Sequence, residues 1–278
     1  VVSHTGNFRK INEHMINPYK GNVINISLYN DYDKLQLTPE HPVFTIKRNG
    51  KKVQSIVNDE PVWIPAKDVE VGDLVLRATP NQLYFDDKKL DLLDFDDRLK
   101  FDDNHVWYNT GYNGKSELKK YNRFVKLSEM SFILGWFIAE GWIEEHKVGF
   151  ALNGENDKEL PIAKKLISET ERIFGYGDGT YKRNGNRLSV KIYSTLISKV
   201  LEKLCGKSAE NKRIPNEVLF GNIGSLKILF DNMVLGDGSF NKKTGDTRYT
   251  TISKELSRQV VIAAQRLGLK PHIHFSNK

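Results

Sequence analysis

Two carboxylates in this sequence stand where a carboxylate is locally unfavourable. Glu140 closes the run Phe132-Ile-Leu-Gly-Trp-Phe-Ile-Ala-Glu140, and Asp237 closes Leu229-Phe-Asp-Asn-Met-Val-Leu-Gly-Asp237. Each run predicts a helix that is apolar nearly all round and therefore buried. An acid in the last turn meets the partial negative charge of the helix C-terminus. Glycine follows each acid, at 141 and 238, which suits the left-handed residue that ends many helices. The same local rule broken twice, beside apolar faces, points to function rather than stability. Gly135 and Ala139 are four apart, as are Asn232 and Gly236, and residues so spaced share one helix face. Faces carrying such small residues let two helices approach and end side by side, which brings Glu140 to Asp237. Two close carboxylates repel unless something positive lies between them. Mg2+, which accepts a few carboxylates together with waters and phosphate oxygens, suits that position. Asn232 is larger than the other three and limits how closely the helices pack. Either run alone would pass for an ordinary core helix with a glycine cap.

Elements of a mixed α+β pattern must position these acids. Ser128 is a candidate N-cap for the first helix. Residues 142–152 alternate as a strand pair, 158–174 form a helix with one apolar face, and 181–193 form two strands about Asn184-Gly185-Asn186. Helix follows at 196–204. The second acid-bearing helix starts near Ser225, then a hairpin over 240–252 turns at Lys243-Thr-Gly245-Asp. A helix over 253–267 stops at Gly268, and Lys270–Phe275 begins a strand. The order helix, hairpin, helix, hairpin, helix is complete once and partial once.

The pair of runs resembles the signature of LAGLIDADG homing endonucleases, which occurs once in each pseudo-symmetric half. The resemblance implies an endonuclease domain over 128–278, its second half truncated, with a double-stranded DNA substrate carrying a long asymmetric site. Glu140 and Asp237 would be the metal-binding, catalytic acids and Mg2+ the cofactor. Lys212-Arg-Ile-Pro215 resembles the block ahead of the second motif in intein endonucleases, which makes Lys212 the third catalytic candidate. Tyr249-Thr-Thr-Ile-Ser253 with Leu256 and Gly268 resembles the block after it. Candidate DNA contacts are Lys182, Arg183, Arg187 and Lys191 on one side and Lys242, Lys243 and Arg248 on the other, since a two-stranded ribbon fits the major groove.

Charge agrees with a polyanionic partner. The chain of 278 residues has net charge +7 and a sequence pI of about 9.2, and residues 178–213 hold nine Lys and Arg against three acids. Such a stretch alone is often only a solvated face. Residues 80–127 read as an acidic connector or insertion, docked on one of its neighbours. There, eight aspartates between Asp86 and Asp103 face four Lys and Arg, and Asn109–Lys115 has loop composition. Hydrophobic content of 39% is ordinary for a globular chain. No apolar run approaches the ~20 residues of a membrane span. No secretory pattern opens the chain, so a cytoplasmic place, or that of a host protein, is expected. The lone Cys205 allows no intrachain disulfide. A monomer is expected.

Residues 1–79 read as short strands: 22–29, 35–37, 43–46, 62–64 and 73–77, with turns at Arg48-Asn49-Gly50-Lys51 and Val71-Gly72-Asp73. Val1–Ile11 resembles another strand pair. Thr38-Pro-Glu-His41 and the segment Trp63–Val75 resemble intein (Hint) domains, where the histidine, supported by the threonine, activates a peptide bond for acyl shift. Thr38 and His41 would be vestigial splicing residues. Val1 is no nucleophile, Cys205 lies in an apolar helical stretch, and the ending Phe275-Ser-Asn-Lys278 lacks His-Asn before a nucleophile. The expectation is an intein piece without either junction, once flanked by a host protein, that does not splice. Three alternatives stay open: a family member that binds DNA without cutting, a splicing element with a passenger nuclease, and an intron-encoded nuclease with a superficially similar β-domain. His272 and His274 share a strand face without a third ligand, too little for zinc.

Overall fold

The computed structural model describes residues 1–7, 9–29, 34–48, 50–52, 56, 59–79, 87–108, 119–155 and 158–274. Two compact units result, Val1–Gln82 with Gly268–Lys278, and Leu83–Leu267. Among the described residues, no helix is long and apolar enough to cross a membrane.

The first unit is built of short strands. Where a strand pair was expected at the start, backbone bonds between Val1 and Arg9 and from Ser3 N–H to Asn7 O fold the chain back without forming a strand among the described residues. Gly6 turns it at φ 79°. Strands β1 (Ile24–Ser27) and β2 (Lys34–Leu37) pair antiparallel, and β3 (Pro42–Ile46) pairs with both β4 (Val62–Pro65) and β5 (Leu74–Val75). The strand expected over 73–77 shrinks to β5 because Asp73 is used otherwise. Its carboxylate accepts the amides of Arg48 and Glu70 at 2.9 Å each and pairs with Lys47 at 3.0 Å. These bonds hold 70–73 as a turn, with Gly72 at φ 101°. At the other expected turn Lys51 N–H bonds to Arg48 O, but Asn49 lies outside the described residues.

The second unit opens with five short strands, β6 (Lys89–Asp91), β7 (Leu99–Phe101), β8 (His105–Tyr108), β9 (Lys120–Asn122) and β10 (Phe124–Lys126). The stretch expected as a connector is thus ordered wherever described, and Leu90, Leu92, Leu99, Val106, Tyr121 and Val125 join the unit's hydrophobic core. Two of its acids are held by cations of the same unit. Asp96 is buried against Arg98 and Lys199 (2.7 Å each) and the Tyr108 hydroxyl (2.8 Å). The Arg98 guanidinium, joined by Lys199 and Tyr108, holds its carboxyl far below the usual range against the opposing cost of burial. Asp91 takes Arg123 in the same way. The loop expected at 109–115 lies outside the described residues.

Helix α1 (Ser131–Glu140) follows, then β11 (Gly141–Glu144), β12 (Lys147–Asn153), α2 (Leu160–Phe174), β13 (Gly179–Asn184), β14 (Arg187–Ile192) and α3 (Thr195–Cys205). The four strands form one antiparallel sheet in the order β11-β12-β14-β13. Val148, Phe150, Leu152, Leu188, Val190 and Ile192 alternate onto its buried face. A short helix α4 (Asn216–Leu219), α5 (Ile223–Asp237), the hairpin β15 (Gly238–Phe240) and β16 (Thr247–Tyr249), and α6 (Lys254–Arg266) complete the unit. Helix α5 starts two residues before Ser225 because Asn222 caps it, accepting the amides of Gly224 and Ser225. Ser253 caps α6 in the same way, through Leu256 N–H at 3.1 Å.

Three expectations need correction. Ser128 does not cap α1; it lies in a 3-10 turn, its hydroxyl bonded to Asp87. The two acid-bearing helices are not equally buried. Residues 131–138 of α1 are all buried, enclosed by α5, α2, α3 and the sheet, whereas α5 buries only Leu226, Leu229 and Met233, and Leu235 is 61% exposed. No strand forms over the described part of 270–275, since a strand needs a paired neighbour and none pairs with it among the described residues. Phe275 itself lies outside the described residues.

Candidate active site

Helices α1 and α5 pack on the faces that carry their small residues. A Cβ on Gly135 would lie 2.5 Å from Leu229 O and 2.9 Å from Asn232 Cβ, and one on Gly236 would lie 2.7 Å from Ala139 Cβ and 3.3 Å from Glu140 Cγ. Asn232 does not hold the helices apart. Its Oδ1 accepts Trp136 Nε1–H at 2.9 Å and its Nδ2 donates to Ile228 O, so the longer side chain becomes part of the seam.

Glu140 and Asp237 are the last residues of their helices, and each chain then turns directly into a strand. Gly141 (φ −88°) and Gly238 (φ −79°) are therefore extended, not left-handed as the sequence suggested. Glycine is needed there for room. A Cβ on Gly141 would collide with Phe137, and one on Gly238 with the carbonyl of Val234.

Glu140 is partly buried, Asp237 is more open to solvent, and Glu140 feels the charge of Asp237. Burial first, then the charges of Asp237 and Glu159, raises the Glu140 carboxyl to about 7. Burial raises Asp237, while the Lys212 ammonium pulls against it. Lys212 is 5% exposed. Its ammonium donates to the carbonyls of Phe137 and of Gly141 (2.9 Å), on either side of Glu140, and lies 3.5 Å from the Phe137 ring centroid. It thereby answers carbonyls at the α1 C-terminus. Burial lowers its pKa to about 8.

Tyr249 belongs to this centre, and sequence reasoning placed it only within a block. It pairs with Gly238, the residue after Asp237. Burial, then Asp237 and Glu140, pushes its phenol well above the usual value. A tyrosine on the partner of the strand leaving the second acid was the available signal. Gln259 was also missed. It is 6% exposed in α6 and bonds both backbone groups of Ile214, two residues from Lys212. A lone amide three positions after Leu256 and four before Ala263 could have shown it.

The basic candidates divide by strand alternation. Register sets Lys182 opposite Ser189, Asn184 opposite Arg187 and Thr180 opposite Lys191, on the sheet face away from the core. Arg183 pairs with Leu188, so it belongs to the other face, at the edge strand. Arg248 pairs with Ser239, and Lys242 and Lys243 occupy the exposed loop of that hairpin. Thr38 and His41 form a turn, His41 N–H to Thr38 O at 3.0 Å, with the His41 carbonyl accepting Ala66 N–H at 2.8 Å. Cys205 is fully buried, its thiol pushed up to about 12 by burial.

Among the described residues no three His, Cys, Asp or Glu side chains cluster as metal ligands. Two hard carboxylates without a third amino-acid ligand fit a cation that keeps waters and takes phosphate oxygens, as Mg2+ does, and do not fit zinc.

Residues 229–278 match the family described as LAGLIDADG-like domain. An uncharacterised protein of Methanocaldococcus jannaschii is 26% identical over 96% of this chain and 34% of its own length. An ATP-dependent DNA helicase of Thermococcus kodakarensis is 23% identical over 99% of this chain and 26% of its own. The chain thus spans about a third or less of these relatives. Similar in structure is the homing endonuclease I-DmoI solved with DNA and manganese, with a TM-score of 0.41 and 14% identity over 54% of this chain and 83% of that one.

Proposed function

We propose that this chain is a metal-dependent endonuclease for double-stranded DNA, of the LAGLIDADG homing type. The observation that carries the reading is the α1–α5 seam, on which two carboxylates end side by side and the charge of Asp237 helps to raise the proton affinity of Glu140. The match of 229–278 to a LAGLIDADG-like domain supports it. Glu140 and Asp237 would hold the cation. When bound, Mg2+ or a similar ion supplies Lewis-acid stabilisation and an activated water for phosphodiester hydrolysis. Glu140 must first give up its proton. Lys212 counters the charge of Asp237 and fixes the backbone around Glu140. Tyr249 closes the site on the side of the second hairpin. Lys182, Arg187 and Lys191 would meet the DNA on the open sheet face, and Lys242, Lys243 and Arg248 on the second hairpin.

We further propose that residues 1–79 belong to an intein, with Thr38 and His41 the remnants of its splicing site. The order of short strands, the Thr38–His41 turn and the Asp73 staple support this. So does the way the segment recurs within longer proteins, one of them a helicase, of which it is a minor part.

The test is selection of cut molecules from a random-sequence duplex library, with Mg2+, Mn2+ or EDTA. Cation-dependent double-strand breaks at a recurring site are expected, and are lost in Glu140→Gln and Asp237→Asn while DNA binding persists. Binding without any cleavage would leave the degenerate DNA-binding alternative.

A further inference from the structure

We propose that Gln259 is a positioning residue for the active site: it fixes the segment bearing Lys212, and through Lys212 the carbonyl end of α1 beside Glu140. The functional half of this proposal rests on the endonuclease reading.

Lys212 follows a 3-10 turn (Ala209–Asn211) and precedes α4, in a stretch that joins no sheet. Arg213 N–H ties the next residue to Cys205 O at 3.0 Å, and α6 holds the rest with side chains. Ser253 donates its hydroxyl to Lys212 O at 2.7 Å while capping α6. Gln259 accepts Ile214 N–H at 2.6 Å and donates to Ile214 O at 2.9 Å. Arg266 donates to the carbonyls of Leu219 and Gly221. The helix therefore grips 212–221 at three levels. The middle grip is two-point, as between paired strands, and is buried.

Glutamine is the residue this task needs. Its amide offers a donor and an acceptor together, which an uncharged backbone residue requires. Leucine of similar size offers neither, and glutamate loses the donor. The consequence reaches the acids because a lysine side chain is long and flexible. Its ammonium stays on the carbonyls of Phe137 and Gly141 only while its own backbone is held. An element after the second acid thus sets the geometry around the first.

The experiment compares wild type with Gln259→Leu and Gln259→Glu, with circular dichroism to establish folding. Acetic anhydride labelling followed by peptide mass spectrometry reports the accessibility of Lys212, with Lys182 as an exposed internal reference. Loss of two buried hydrogen bonds should speed Lys212 labelling by roughly tenfold in Gln259→Leu and leave Lys182 unchanged. On a duplex that wild type cuts, kcat should fall by about 100-fold with KM within about twofold, as expected for a misplaced catalytic group. If Gln259→Leu does not fold, Gln259→Glu, which keeps the acceptor for Ile214 N–H, decides the same two readouts. A folded variant with Lys212 still protected, or with Lys212 exposed and kcat unchanged, would overturn the proposal. If wild type cuts no duplex at all, the endonuclease reading fails, and the labelling alone decides whether Gln259 fixes Lys212.

Discussion

Glu140 carries the chemistry at the scale of single residues, and its proton is the quantity to measure. Its carboxyl sits at about 7 in the folded chain against an ordinary 4.5, so the folded state binds that proton more tightly than the unfolded one. Without divalent cation, the stability that Glu140 contributes should therefore be fully present below about 4.5 and be lost as pH rises through about 7, whereas lowered carboxylates such as Asp96 act in the opposite direction at acid pH. Asp237, also raised, adds in the same direction as Glu140. Urea titrations in EDTA across this range should show the stability of wild type falling relative to Glu140→Gln as pH rises. Cation affinity should rise with pH over the same window, because the ion displaces the proton; isothermal titration with Mn2+ at pH 6 and pH 8 checks this. Lys212 gives a second prediction. Lys212→Met keeps the aliphatic stem but removes the lysine donor from the Gly141 carbonyl and leaves the Phe137 carbonyl with only the Gly141 N–H. Unsatisfied buried acceptors cost about 1–3 kcal/mol. The midpoint of denaturation should drop accordingly, and cleavage should fall further than stability explains.

Among the elements, α1 and α5 bring the acids together through the absence of side chains along their seam. Gly236→Val would place branched carbon where Ala139 Cβ is already 2.7 Å from an ideal Cβ position. Overpacking of this kind costs about 1–3 kcal/mol, and here it should also separate the carboxylates. The expected signature is loss of Mn2+ binding in a variant that still melts cooperatively. Gly50 is the control: a Cβ there meets nothing within 4 Å, although its φ of 75° brings some strain. Gly50→Ala should leave cation binding intact. The elements also explain the acidic stretch. Asp91 and Asp96 pair with Arg123, Arg98 and Lys199 within the second unit, so these two charges are scaffold.

For the molecule as a whole, the testable quantity is the salt dependence of DNA binding. Each phosphate neutralised by Lys or Arg adds about 0.9 to the slope of log K against log salt. Replacing Lys182, Arg187 and Lys191 together with alanine should flatten that slope by roughly 2–3, measured by fluorescence anisotropy with a duplex. Arg183→Ala, on the other face of the same strand pair, should change it by less than one contact. An equal loss from Arg183→Ala would place the DNA on the wrong side of the sheet.

By itself the sequence determined what depends on local periodicity and on residue type. The two acid-bearing helices, their small faces, the hairpins and the alternation of β12 and β14 follow from spacing, because a helix repeats every 3.6 residues and a strand every two. The carboxylates were visible because they break a local rule. Tertiary structure alone decided the rest. Gly141 and Gly238 were legible as glycines but not as extended ones, since the strand that follows each helix decides their φ. The difference in burial between α1 and α5 depends on neighbours from distant parts of the chain, although both sequences are similarly apolar. The faces of Lys182 and Arg183 depend on register. The second-unit core under the acidic run was hidden because charge pairs such as Asp96 with Lys199 join residues far apart in sequence. Tyr249 and the grip of Gln259 on Ile214 were hidden for the same reason: long-range contacts with one backbone segment leave no period in the sequence.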